Sequence, residues 1–563
     1  MFEEDKMLHK LIGYVLFCLT GMGFFFCLLF GCELQNKGNI DWTGPTTTLF
    51  LPWVLAGGIF VGVAFSFLTY KLAPLKETKR LTRNTGDAKW FWISVLVIFL
   101  AWIPYFLAYY PGICAYDAVT QIGQIEAGEY VEHHPLAHTL LIRACLFLGK
   151  LIFQSANAGV AIYSILQMFA LALAFGYCIL TIRRYGFDNK WQIALLVIFA
   201  IYPFSGYLSV SMTKDILFTV FFVFGLLSFM QMAKPMENRL KPESMDIVFV
   251  VSAVGMILFR NNGKYALLVL AVALFAMAIT HIKKQNGYWR LFLDCVAAFV
   301  IGLLLLSALS RFVNAVQADR REMLSMPIQQ LSRCMLYHGG VGILPEDDNT
   351  MSEEDKALIS ELFMGEGYEN YLPFISDPVK NKTLTSVVRY QPKRFLTTYF
   401  RLLFKYPGDF VNAGLALDAG YLNPEDTTHS KVYQVMYPDM EGKGYVQTWW
   451  WESAVEKTGI THDSKLIALH EMMENFAGDN AYLKVPVLKY IFVPGIWLWW
   501  ILGLFVMSLI RKDKGMCLAL ILVLGYFGTL ILGPVVQLRY IYPCMIVTPI
   551  LTMIMYAKGR LQW

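Results

Sequence analysis

Charge is scarce in this sequence: Asp, Glu, Lys and Arg make up 16% of the residues, against 56% that are hydrophobic. A soluble domain of this length could not hide that much apolar surface in one core, so the bilayer has to act as solvent. No internal repeat is visible, which argues against a transporter built from duplicated halves. No small-x-small cleavage motif follows the first apolar run, so that run is expected to stay attached rather than leave as a signal peptide. Leu29 to Cys32 makes a poor lipoprotein box, because Phe30 fits it badly. No nucleic-acid signature is present, and the mild net charge of +5 suits loops lying beside an anionic leaflet. Most of the ten cysteines fall inside apolar runs, where they behave as small hydrophobes. Cys114 and Cys334 are predicted outside those runs and could pair, although no spacing rule requires it.

What is abundant is apolar sequence long enough to cross a hydrocarbon core of roughly 30 Å. It predicts transmembrane helices near residues 10–32, 49–70, 90–110, 158–182, 191–209, 216–233, 245–259, 264–281, 291–310, 487–510, 516–533 and 541–557. The basic clusters between them all fall on one side. They are Lys71, Lys76, Lys79, Arg80, Arg83 and Lys89; Arg183, Arg184 and Lys190; Lys234, Arg239 and Lys241; Lys283, Lys284 and Arg290; Arg511, Lys512 and Lys514; and Lys558 with Arg560. By the positive-inside rule that side is the cytoplasm, which also makes both termini cytoplasmic. The run from 136 to 153 is apolar, but Arg143 and Lys150 interrupt it and counting it breaks the alternation; it is predicted as an amphipathic helix at the outer interface. The expected fold class is therefore an all-α polytopic membrane protein with three parts. Residues 1–311 form a transmembrane module with an outer catalytic loop at 111–157, residues 312–486 a mainly helical extracytoplasmic segment, and residues 487–563 the last membrane helices.

Ionisable residues at the outer helix ends carry the chemistry. Pro111-Gly112 turns the chain out of the membrane, Asp117 follows on a short helix, and His133-His134-Pro135 opens the interfacial helix. Lys214-Asp215 lies at the outer mouth of the next pair of spans, Arg260-Asn261-Asn262-Gly263-Lys264-Tyr265 joins another pair, and Arg539-Tyr540 opens the last. Asp117 by itself could be a solvated carboxylate or helix cap, and a lone cation at a helix end usually snorkels to the headgroups. Here the opposite face already holds nearly all the snorkelling cations, so outer cations beside carboxylates point to an anionic ligand. His134 and His138, at i and i+4, could share a metal, but no third ligand is evident, so no metal is assigned and a lipid phosphate is the expected partner of the histidines.

In this order the features resemble the GT-C superfamily of glycosyltransferases, polytopic enzymes that take a sugar from a polyprenyl-phosphate carrier. Four stretches are similar to a bacterial family of GT-C-like membrane proteins described as a domain of unknown function, the DUF6020 kind. They are Tyr110-Pro111-Gly112 through Asp117, His133-His134-Pro135, Ser325-Met326-Pro327-Ile328-Gln329-Gln330-Leu331-Ser332-Arg333, and Arg539-Tyr540-Ile541-Tyr542-Pro543. The resemblance implies a bacterial plasma-membrane protein with an extracytoplasmic active site. Its donor would be a polyprenyl-phosphate sugar and its acceptor a surface glycan, a lipid or a protein. In that setting Asp117 is the expected base, Lys214, Arg260 and Arg539 the phosphate holders, and His133 and His134 orienting groups. Asp215 would steady Lys214 or touch the sugar, and Tyr540 accompanies Arg539. The Asp-Glu or Asp-x-Asp pair of many relatives is missing after Ala115-Tyr116, so a required divalent metal is not implied and stays an alternative.

In the long outer segment, Ser352-Glu353-Glu354-Asp355 reads as a helix start with acids complementing the dipole, and Arg389 to Tyr406 has helical apolar spacing. Glu346, Asp347 and Asp348 lack calcium-loop spacing and read as a solvated face. Trp449-Trp450-Trp451 reads as an interfacial anchor, with sugar stacking as the alternative. Other functions fit less well. A flippase for an anionic lipid or glycan would carry its charges near the midplane. A sensor or scaffold would bind without turnover. Acyl transfer by an embedded histidine conflicts with Pro135 directly behind the His pair.

Overall fold

Backbone polar groups have no water to bond with inside a bilayer, so apolar sequence of this kind must satisfy them within helices. The computed structural model describes residues 2–71, 86–114, 116–232, 244–280, 287–428, 458–461, 463–478 and 481–557. The chain is 79% helical, and no strand occurs among the described residues. Among the described residues ten helices are long and apolar enough to cross a membrane, or up to twelve if each of two bent pairs is one span. The protein is an all-α, multi-pass membrane protein.

Helices α1 (Phe2–Lys37) and α2 (Pro45–Lys71) form a hairpin, followed by α3 (Asp87–Ala108), the short α4 (Tyr116–Ala127) and α5 (Leu136–Phe153). The main bundle continues with α6 (Ala156–Arg184), α7 (Asn189–Ile201), α8 (Pro203–Val210), α9 (Lys214–Met232), α10 (Ser244–Phe259), α11 (Gly263–Thr280) and α12 (Tyr288–Phe312). Glycines let the α1–α2 hairpin close: a Cβ on Gly58 would overlap Met22, and one on Gly62 would overlap the Cys18 sulfur. Arg183, Arg184, Arg290, Arg511 and Lys514 cap one end of the bundle, here the basic end, and the loop after α3 lies at the other, the upper end. Lys76, Lys79, Arg80, Arg83, Lys234, Arg239, Lys241, Lys283, Lys284, Lys558, Arg560 and Trp449 to Trp451 lie outside the described residues.

Two spans expected to be continuous are broken. The 191–209 run bends by 55° between α7 and α8, because Pro203 has no N–H to donate and instead opens a new helix at its first position. The 487–510 run bends by 77° ahead of Pro494 for the same reason. The 245–259 run forms a helix of 16 residues, shorter than the ten helices of span length. Helix α5 is long and apolar enough to pass as a span, yet it crosses the first turns of α6 rather than running along it. His138 meets Tyr163, and Gly149 meets Gly159, so both ends of α5 stay at the upper end.

Residues 320–422 fold as short helices: α13 (Ser325–His338), α14 (Glu353–Leu362), α15 (Asp377–Lys380), α16 (Thr385–Tyr390), α17 (Pro392–Lys405), α18 (Pro407–Leu417) and α19 (Ala419–Leu422). Ser352 caps α14 as expected, accepting from the Asp355 N–H. The Arg389 to Tyr406 stretch is two helices rather than one, because Pro392 ends α16 and starts α17. Their apolar faces share a core of their own, around Ile328, Leu331, Leu358, Phe363, Leu402 and Phe410. The Ser325 to Arg333 motif forms the first turns of α13, and Arg333 reaches from it to Gly38 O (3.2 Å), Asn39 Oδ1 (2.7 Å) and Asp409 (3.0 Å), tying this layer to the α1–α2 turn. Asp347 accepts the N–H groups of Gly340, Gly342 and Asn349 and so braces a turn. Cys114 and Cys334 are buried in separate cores, so the disulfide considered from sequence is not formed.

The chain returns to the membrane through α20 (Ile467–Gly478) and α21 (Pro486–Lys489) into α22 (Pro494–Ile510), α23 (Lys514–Ile531) and α24 (Leu538–Ala557). Ser376 donates through both N and Oγ to Pro534 O (2.9 and 3.3 Å), pinning the helical layer to the turn before α24. The close α5–α6 approach gives a stability test. Gly149→Val should cost about 1–3 kcal/mol and lower the melting temperature in detergent, whereas Gly528→Ala, which meets nothing within 4 Å, should leave it unchanged.

Candidate functional site

The site begins with a backbone junction. Gly112 holds φ at +145°, and a Cβ there would overlap the Ser164 hydroxyl, so the turn after α3 requires glycine. The next residue, Ile113, pairs with Ser211 in a short parallel bridge: its N–H donates to Val210 O (2.9 Å), and its carbonyl accepts from the Met212 N–H (2.7 Å). The amide of Gln167 faces the carbonyls of Leu208, Ser209 and Ser211 (3.0, 3.0 and 2.7 Å), satisfying groups left open where α8 ends. This junction sets the first turn of α4 beside the first turn of α9.

Asp117 and Lys214 meet there. Lys214 Nζ donates to Asp117 Oδ2 (2.8 Å) and lies 3.3 Å from His134 Nδ1. Arg539, from the first turn of α24, approaches the same Asp117 oxygen at 3.2 Å and reaches Asp215 at 3.6 Å. Arg260 pairs with the other oxygen of Asp215, and Thr213 donates to Asp215 at 3.1 Å. Tyr540 closes the group: its ring lies 4.5 Å from the Arg260 guanidinium, a cation–π contact, and its hydroxyl accepts from Arg539 at 3.4 Å. Gln537 and Tyr526 support the arrangement, Gln537 accepting from Arg539 Nε (2.7 Å) and Tyr526 donating to Tyr540 O (2.6 Å).

Five segments of the chain thus bring Asp117, His134, Lys214, Asp215, Arg260, Arg539 and Tyr540 into one connected cluster. His133 stands apart: it is exposed, with its ring edge-on to His134 at 4.6 Å. His138 does not turn toward the cluster. Its two ring nitrogens bond Gln121 (2.8 Å) and Tyr163 (2.7 Å) in a buried chain from Thr139 to Gln167. Among the described residues no group of three or more His, Cys, Asp or Glu is placed to hold a metal ion.

The electrostatics are lopsided. Among the described residues the connected set holds three cations, Lys214, Arg260 and Arg539, against two carboxylates, Asp117 and Asp215. Burial alone would raise the Asp117 carboxyl, but Arg539 and Lys214 hold it well below the ordinary carboxylate range, so it is ionised. Burial, reinforced by Lys214, pushes His134 well below the usual histidine value, so it is neutral. Sequence reasoning missed Gln537, Thr213 and Gln167, polar residues unremarkable in a linear reading. It also missed Asp418, a buried carboxyl with no counter-charge or hydrogen-bonded side chain among the described residues, which burial pushes well above the usual range.

The fold and this cluster define a polytopic membrane protein with a buried ion network at one end of its helices. The sequence profile of a family of unknown function, DUF6020, matches residues 127–563, and the chain belongs to that family. The matched span takes in His133, His134, Lys214, Asp215, Arg260, Arg539 and Tyr540, while Asp117 lies just ahead of it. No match was found among curated proteins or among solved structures.

Asp215→Ala would leave Arg260 and Arg539 without their shared carboxylate and should cost about 3–5 kcal/mol. Asp215→Ala with Arg260→Met should recover part of that loss in the same thermal unfolding assay. Protonation gives a second test. Because the folded-state value of His134 is depressed, the stabilisation it confers is fully present above the unfolded value of about 6.5 and is lost as pH falls below it. Wild-type stability should therefore drop more than that of His134→Gln between about pH 7 and 5; parallel melting curves would show that the proton is taken up on unfolding and that His134 stays neutral in the fold.

Proposed function

We propose that this protein is a GT-C-type glycosyltransferase. In this reading it moves a sugar from a polyprenyl-phosphate carrier to a glycan, lipid or protein on the extracytoplasmic side of a bacterial plasma membrane. The observation that carries the reading is the buried cluster with three cations to two carboxylates, which is one negative charge short of balance. A phosphodiester donor brings that charge. The opposite end of the bundle carries Arg183, Arg184, Arg290, Arg511 and Lys514, which supports a cytoplasmic basic end and an extracytoplasmic site.

The chemistry follows from the same charges. The acceptor hydroxyl gives its proton to Asp117 as its oxygen attacks the anomeric carbon, and the bond from that carbon to the phosphate oxygen breaks with its electron pair going to the lipid phosphate. The leaving phosphate gains negative charge during this step, so Lys214, Arg260 and Arg539 bind the transition state more tightly than the ground state. Arg539 and Arg260 suit paired oxygen contacts, and Lys214 acts as a point charge. With no donor bound, Lys214 and Arg539 are spent on Asp117 and make it a weak base. An incoming phosphate draws them away, so basicity at Asp117 rises when the donor is in place. Neutral His134 orients Lys214, and exposed His133 faces the acceptor side.

Mass spectrometry of polyprenyl-phosphate sugars and surface glycans, with and without the protein, tests the reading. One sugar should be lost from the glycans and retained on the carrier; unchanged pools would sink the proposal. Asp117→Asn keeps the shape and a carbonyl for Lys214, so the variant should insert and fold while transfer falls about a hundred- to ten-thousand-fold. Wild-type turnover in that variant would remove Asp117 as the base.

A further inference from the structure

A large apolar cavity lies apart from the ion cluster and shares none of its residues. Toward the basic end, α1, α2, α22 and α24 enclose about 530 Å³, within the roughly 300–1,000 Å³ typical of small-molecule sites. Phe24, Phe65, Trp499, Trp500, Leu504 and Met555 give it apolar walls. Gly503 keeps it open: with no side chain, it leaves the space in front of the Phe65 ring, which even a Cβ would bring to 3.5 Å.

Arg511 stands at the mouth of this cavity, where α22 ends. One nitrogen, Nη1, donates to Met555 O (3.0 Å), while Nε is buried with no hydrogen-bond partner among the described residues. A guanidinium lining an otherwise apolar wall is costly unless an anion pairs with it. Burial draws the Arg511 pKa down, only partly offset by Asp513. Lys512 and Lys514 follow closely in the chain and add positive charge at this end of the bundle. Basic pockets between membrane helices are suited to anionic lipid headgroups, with the lipid tail along the apolar wall.

We propose that this cavity is a specific site for one anionic glycerophospholipid, with an acyl chain between the α1–α2 hairpin and the α22–α24 helices and its phosphate on Arg511. The bound lipid fills the gap between hairpin and bundle and locks the hairpin in place. This site stands independently of the glycosyltransferase reading, since it uses none of the cluster residues.

Titration of the delipidated full-length protein with phosphatidylglycerol and with phosphatidylethanolamine, read by native mass spectrometry, tests it. The wild type should take up one phosphatidylglycerol in clear preference. Arg511→Gln should weaken phosphatidylglycerol about tenfold, the scale of one charge-assisted hydrogen bond, and leave phosphatidylethanolamine unchanged. Gly503→Leu, which fills the cavity and keeps the arginine, should abolish the tight binding event. Lys512→Gln, which alters only the exposed charge next to Arg511 in the chain, should have a smaller effect than Arg511→Gln. Equal affinity for the two lipids, or wild-type phosphatidylglycerol binding by a folded Arg511→Gln or Gly503→Leu protein, would overturn the proposal.

Discussion

Asp215 is fully buried, and its two oxygens face guanidiniums carried by different parts of the chain. Arg260 comes from the turn between α10 and α11, and Arg539 from the start of α24, so one carboxylate fixes three helix ends against one another. Arg539 in turn reaches Asp117, and Asp117 holds Lys214. Charges taken out of water lose several kcal/mol of solvation each unless they are paired with good geometry. The upper ends of α4, α9, α10 and α24 therefore cannot shift independently without exposing an unpaired charge to a dry interior.

The backbone framework keeps those ends at the right depth. Gln167 on α6 occupies the carbonyls where α8 stops, and the Ile113–Ser211 bridge joins the loop of Asp117 to the turn that carries Lys214 and Asp215. Above them, the helical layer is fastened by Arg333 to the α1–α2 turn and by Ser376 to Pro534, among other contacts. The second attachment falls a few residues before Gln537 and Arg539. Movement of the layer is therefore transmitted directly to the cation shared by Asp117 and Asp215.

Much of the fold was legible because a bilayer forces apolar runs into helices, and the basic loops fix which helix ends share a face. Asp117, Lys214, Asp215, Arg260 and Arg539 could be grouped on that ground before any contact was known. Their individual partners could not. The pairing of Asp117 with Lys214 depends on a two-residue bridge that has no composition signal, and His138 looks like His134 in sequence but faces a buried polar chain instead. Pro203 and Pro494 were visible, but the size of each bend is set by packing. Asp418 gave no signal, because its isolation is created by the elements around it.

The late position of α24 has a biosynthetic consequence. When a nascent chain has inserted only through α11, Lys214 and Arg260 balance Asp117 and Asp215, and the half-built site is electrically neutral. Arg539 enters with α24, far later in the chain, and tips that balance. The excess positive charge of the cluster is therefore acquired only once α24 has joined α4, α9 and the α10–α11 turn.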